Sequence, residues 1–164
     1  MKPRVLGAAA AVGALALDQL SKAFVIDAMA MDARDPIVLA PFLNLALRWN
    51  HGISFSLFQQ ETALGRLVLL GFALAAAAFL SVWLWRTRDW LAAVALGAII
   101  GGALGNGLDR LVRGAVADFL DLHLFGRNLF VFNIADAAIN LGVGLLLLDA
   151  LLGANRHPPT PKPQ

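Results

Sequence analysis

Of the 164 residues, 59% are hydrophobic and only 15% charged, against about 25% charge in a soluble domain; with a mean hydropathy of +0.72, this is an integral membrane protein. The chain has no cysteine, which excludes disulfides, thiolate metal sites and a cysteine nucleophile. Ten arginines and three lysines leave a net charge of +2. They read as orientation and headgroup charges, because no basic face with interleaved aromatics marks a nucleic-acid partner.

Met1-Lys2-Pro3-Arg4 is a short positive start, and residues 5–17 are apolar. Together with a small-x-small site at Ala28-Met29-Ala30 they fit a secretory signal peptide. Asp18, Gln19, Ser21 and Lys22 argue against that, because apolar residues resume at 23–26. Residues 5–26 therefore predict an uncleaved membrane helix at 1.5 Å rise per residue. Residues 32–36 are a polar turn, residues 42–49 alternate, Asn50-His51-Gly52 signals a turn, and residues 53–58 alternate again. This predicts a small β element over about 36–60. Its edges cannot face hydrocarbon, so it lies at the membrane surface or against protein.

The 19 residues of 67–85 carry no charge. With Arg66 snorkelling at one end and Trp83 and Trp85 at the other interface, they predict a second helix over 64–85. After a charged loop at 86–89, a third helix is predicted over 90–109. Its Gly97, Gly101 and Gly105 have the small-xxx-small spacing that lets helices approach closely. Residues 109–128 form a second surface segment, in which Asp118, Leu120, Leu122 and Leu124 alternate with Phe119, Asp121, His123 and Phe125. A fourth helix is predicted over 129–152, and 154–164 is a Pro-rich tail expected to be disordered. The fold class is therefore an all-α membrane protein with four transmembrane helices and a small β element, all within one unit over 1–153. The density of Lys and Arg in short segments favours cytoplasmic termini.

Four polar clusters fall near the outer helix ends. They centre on Asp18 to Lys22, on Asn50 to Phe55, on Gly101 to Arg110 with its continuation to Asp118, and on Asn133 to Asp136. Asn133, Asp136 and Asn140 are spaced to share one helix face. Asp136 would lie about seven residues, or roughly 10 Å, into the fourth helix. An acid at membrane depth is costly and marks function. No His-Glu-x-x-His is present among the three histidines, Ser21 and Lys22 are neighbours that cannot face each other on a helix, and His51 and His123 read as surface residues. A carboxylate pair remains, one member protonated and the other a base. Asp109 and Asp118 both compete to partner Asp136. Asp109 is followed by Arg110, whereas Asp118 has no adjacent cation. The bland readings are an intrahelical Asp18–Lys22 ion pair and a capping role for Asn106, Asp109 and Arg110.

Taken together, Asp18-Gln19-x-Ser21-Lys22, Asn50-x-Gly52-x-Ser54-Phe55, Gly101-Gly102-Ala103-x-Gly105-Asn106-x-x-Asp109-Arg110, Val116-Ala117-Asp118-Phe119 and Phe132-Asn133-x-Ala135-Asp136 resemble lipoprotein signal peptidase (signal peptidase II), in that family's order and over about residues 17–140. The resemblance implies an intramembrane aspartyl endopeptidase of the bacterial inner membrane. Such an enzyme removes signal peptides from prolipoproteins by cutting before a diacylglyceryl-cysteine. It implies Asp118 and Asp136 as the catalytic pair. Asn106, Asp109, Arg110 and Asn133 would orient the pair, Asp18, Lys22 and Asn50 would line the site, and Gly102 and Ala135 would support it. It also implies an extracytoplasmic β-cradle, a flexible outer segment over 109–128, an active site towards the outer leaflet, and a monomer that meets membrane lipids. Globomycin-type inhibitors would fill the cleft, and no metal or cofactor is expected. The rival reading is a proton-coupled transporter or channel subunit using Asp18, Asp109 and Asp136 as a relay.

Overall fold

A computed structural model describes residues 1–52, 62–124 and 127–156. Helix α1 (Pro3–Ala23) begins with Pro3 in its first turn, where the missing N–H costs nothing. It runs on into a π-helical turn, Phe24–Ala28, so the first span is 26 residues long. Helices α2 (Ala63–Arg86), α3 (Trp90–Val112) and α4 (Ile134–Arg156) follow. The side chain of Thr62 accepts the Gly65 N–H at 3.1 Å to start α2. That of Asp89 accepts the Leu91 and Ala92 N–H groups at 2.7 and 3.2 Å to start α3. Among the described residues, four helices are long and apolar enough to cross a membrane.

Helix α3 is the hub. It packs against α1, α2 and α4, and 56% of its membrane-length window is buried, against 17% or less for the others. Its glycines make this possible. A Cβ at Gly97 or Gly101 would run into the backbone carbonyls of Gly7 or Ala11 on α1. One at Gly102 would stand 2.5 Å from the Ala135 carbonyl on α4. Without a hydrophobic drive between helices in lipid, such close approach supplies the packing. At the far end the Arg4 guanidinium sits 5.1 Å over the Trp85 ring, tying the start of α1 to the end of α2.

Strands β1 (Ile37–Ala40), β2 (Leu43–Asn50), β3 (Val116–Leu124) and β4 (Arg127–Phe132) form one antiparallel sheet in the order β1-β2-β3-β4. The alternation at 42–49 thus becomes β2. The expected strand over 53–58, with Ser54 and Phe55, lies outside the described residues, as does the tail beyond residue 156.

Three expectations change. The segment 109–128, whose alternation over 118–125 reads as an extended stretch, takes a more definite form than a surface segment. It completes α3 and then supplies β3, whose backbone pairs with β2 on one side and β4 on the other. The fourth helix starts at Ile134, not 129, because Leu129, Phe130, Val131 and Phe132 belong to β4. A short apolar run of aromatic and branched residues suits a strand as well as a span, and hydrophobicity alone cannot separate the two. Helix α4 also extends through 154–156, which were expected in the tail.

Candidate active site

Asn133 sits between β4 and α4 and caps the helix. Its Oδ1 accepts the Asp136 N–H at 2.9 Å, while its own N–H donates to Asp136 Oδ2 at 3.4 Å. This is a reciprocal capping box, with Asp in the place usually held by Glu. Asp136 therefore lies in the first turn of α4, about 4.5 Å along its axis rather than 10 Å. Asn133 lies outside the helix and shares no helical face with it. Asp18, wholly buried on α1, caps the same helix end from outside, its Oδ1 accepting the Ala135 N–H at 2.9 Å.

Asp118 enters from β3. It is 3% exposed and Asp136 is 9% exposed. Asp118 Oδ1 accepts from Asn133 Nδ2 at 2.6 Å, and Oδ2 accepts from Asn50 Nδ2 at 2.9 Å. Asp136 Oδ1 accepts from Asn106 Nδ2 at 2.9 Å. One residue, Asn133, thus bonds both carboxylates. Burial, then the neighbouring Asp136 charge, pushes the Asp118 carboxyl up to about 7, against the opposing hydrogen bonds from Asn50 and Asn133 and the charge of Lys22. An acid titrating there can hold or yield a proton at neutral pH.

The other expected residues divide into two layers. Lys22 is fully buried and donates to Asp18 Oδ2 at 2.8 Å and to Asn106 Oδ1 at 3.3 Å; its Nζ also lies 2.7 Å from Asp109 Oδ2. Asp109, also fully buried, accepts from Arg113 Nη1 at 2.5 Å and from the Ala117 N–H at 3.2 Å. Its carboxylate is therefore bound to cations and to the entry of β3, and does not partner Asp136. Asp18 and Lys22, expected to line the site, lie beneath it, because the start of α4 closes over them. Arg110 is at the surface of the site. It donates to the Gly52 carbonyl at 2.6 Å and to the Asn106 carbonyl at 3.1 Å.

Two further residues, Gln19 and Arg113, join the buried network without being legible as such in the sequence. Gln19 donates to Asp18, to the Gly105 carbonyl and to Asp109 at 3.0, 3.2 and 3.2 Å, and it accepts from Arg113 at 3.3 Å. For Arg113 the spacing of one helical turn after Asp109 is a local signal for that pair alone. Asn106 and Arg110 also form the polar end of an apolar cavity of about 250 Å³ between α2, α3 and α4, walled by Leu69, Phe72, Ala73, Ala76, Ile99, Ala103 and Ile139. Phe72 is 74% exposed, so one wall of the cavity stands at the protein surface on α2.

A family model described as signal peptidase (SPase) II matches residues 10–152. A lipoprotein signal peptidase from Beijerinckia indica is 49% identical over 98% of this chain and 96% of that protein. One from Methylocella silvestris is 51% identical over 94% and 90%. A bacterial membrane enzyme solved by the in meso method at 2.3 Å superposes with a TM-score of 0.79 at 26% identity, covering 96% of this chain and 94% of that one. The paired acids, the four spans and a match that runs nearly end to end all agree, and the chain belongs to the signal peptidase II family.

Proposed function

We propose that this chain removes signal peptides from diacylglyceryl-modified prolipoproteins, cutting before the lipidated cysteine, with Asp118 and Asp136 as its catalytic dyad. The observation that carries the reading is the pair itself. Two buried carboxylates from different elements accept from one asparagine, Asp118 from its side chain and Asp136 from its backbone N–H, next to a cavity that a lipidated substrate could enter sideways from the bilayer. The ionised carboxylate takes a proton from water as its oxygen attacks the scissile carbonyl carbon. The protonated carboxyl donates to the carbonyl oxygen as the tetrahedral centre forms. The proton on the base then passes to the leaving nitrogen as the C–N bond breaks, and a hydroxyl of the tetrahedral centre returns its proton to the other carboxylate, which restores the starting pair.

Asn50, Asn106 and Asn133 hold the carboxylates, and Arg110 orders the loop at Gly52. Gly102 and Ala135 allow the start of α4 to sit against α3. In this reading residues 1–153 are one unit in the inner membrane with both termini cytoplasmic. The site faces the outer leaflet, the enzyme acts as a monomer among lipids, and globomycin-type inhibitors occupy the same cleft. A transporter relay gains no support, because Asp18 and Asp109 are locked to Lys22 and Arg113.

The test is cleavage of a diacylated precursor by purified enzyme in detergent. Asp118→Asn and Asp136→Asn should each abolish it while the protein stays folded. Normal turnover by either variant would sink the dyad.

A further inference from the structure

Three asparagines surround the carboxylates, and in each a second bond fixes which end of the amide is nitrogen. Asn50 Oδ1 accepts the Gly52 N–H at 2.9 Å, so its Nδ2 faces Asp118. Asn133 Oδ1 accepts the Asp136 N–H, so its Nδ2 supplies Asp118 and also Asn106 Oδ1 at 3.1 Å. The orientation of Asn106 is set by two donors to its Oδ1, the Asn133 amide and the Lys22 ammonium. An ammonium has three donors and no acceptor, and Lys22 directs them at Asp18, Asp109 and Asn106 Oδ1. Were the Asn106 amide turned over, its NH₂ would meet the Lys22 ammonium and the Asn133 NH₂, and its oxygen would face the Asp136 carboxylate. Each of those contacts is repulsive at a site shielded from water.

We propose that Lys22 is a positioning residue for the reaction, fixing the Asn106 amide so that Nδ2 is presented to Asp136 and Oδ1 to Asn133. The inference rests on the dyad reading above. A purely structural ion pair would need only Asp18 and Asp109. The third bond, to Asn106, links the buried charge cluster to the Asp136 carboxylate through side chains, beside the backbone links from Asp18 to Ala135 and from Asp109 to Ala117. The charged groups around this path are Asp18 on α1, Asp109 and Arg110 on α3, Arg113 directly after it, Asp118 on β3 and Asp136 on α4. The Lys22 charge also favours the ionised form of Asp118.

The experiment is the pH–rate profile of Lys22→Met on a diacylated precursor, with thermal unfolding run in parallel. Positioning predicts a kcat loss of roughly 10- to 100-fold at pH 7, of the size a misdirected general acid–base group costs, with KM within about twofold. It also predicts an acid limb displaced upward, because the Lys22 charge that favours ionised Asp118 is lost. The kcat losses of Lys22→Met and Asn106→Ala should be strongly non-additive. A folded Lys22→Met enzyme with an unmoved acid limb, or with losses that simply add to those of Asn106→Ala, would overturn the proposal. If Lys22→Met does not fold, Asp109→Asn compared with Lys22→Met/Asp109→Asn makes the same comparison with one buried acid fewer. An inactive Asp136→Asn beside an unshifted Lys22→Met rejects the positioning role alone, whereas an active Asp136→Asn rejects both readings.

Discussion

Replacing Asp118 by asparagine should destroy activity and yet stabilise the protein above neutral pH. Burial and the Asp136 charge raise the Asp118 carboxyl from the ordinary 3.8 to about 7. In the unfolded chain the group is ionised from about pH 4 upward, while the folded protein holds its proton to about pH 7. The folded state therefore binds more protons across that window, and its stability falls as pH rises through it. At 1.36 kcal/mol per pH unit, the full loss above pH 7 is about 4 kcal/mol. Asparagine avoids it, but its NH₂ must face one of the two amide donors that now bond Asp118. That mismatch costs about 1–3 kcal/mol, leaving a net gain of about 2 kcal/mol at pH 8 and none at pH 5. Thermal unfolding in detergent, followed by tryptophan fluorescence at both pH values, measures it. A melting temperature for Asp118→Asn that stays at or below wild type at pH 8, or a gain equal at both pH values, would refute the reasoning.

Gly102→Val should be severe, because its Cβ would meet the Ala135 backbone carbonyl at 2.5 Å and push the start of α4 from α3; cleavage should drop at least about 100-fold, as misplacement of a catalytic group by an ångström does. Asn133→Ala removes the helix cap and two side-chain donations; unfolding in detergent should show a loss of about 1–2 kcal/mol together with near-complete loss of turnover. Arg110→Gln gives up the bond to the Gly52 carbonyl and the charged end of the cavity, so KM for the lipidated precursor should rise more than kcat falls. Equal losses in both constants would place Arg110 in the chemistry instead.

The membrane spans were legible because length and hydropathy suffice for them, and β2 was legible from its alternation. The boundary between β4 and α4 was not, although the chain marks it. Asn133 followed three residues later by an acid is a capping signal, hidden inside an apolar run that reads as one continuous span. The proposed pairing of Asp118 with Asp136 was half legible. Residue-level reasoning left Asp109 in contention, and what removes it is tertiary: Lys22, Arg113 and the Ala117 N–H already hold its carboxylate. Asn50 lay 68 positions from Asp118 in the chain, and only the pairing of β2 with β3 brings them together. Gln19 sat within a quoted motif, but nothing local revealed that it would bridge α1 and α3.

The moved start of α4 changes the physical picture of the site more than any other difference. An acid seven residues into a span would have its backbone satisfied by its own helix and would need side-chain partners alone. An acid in the first turn stands among N–H groups that the helix cannot satisfy. Here two of those groups are taken by site residues, Asp18 for Ala135 and Asn133 for Asp136. The atoms that end a helix and the atoms that hold the dyad are therefore largely the same atoms. Variants of Asn133 and Asp18 should for that reason lose stability and turnover together, and neither loss can be assigned to chemistry alone. Asp118 differs, because it lies on a strand and caps nothing. Its burial is a cost to the fold rather than a support, which makes it the position where removing function and gaining stability should be separable.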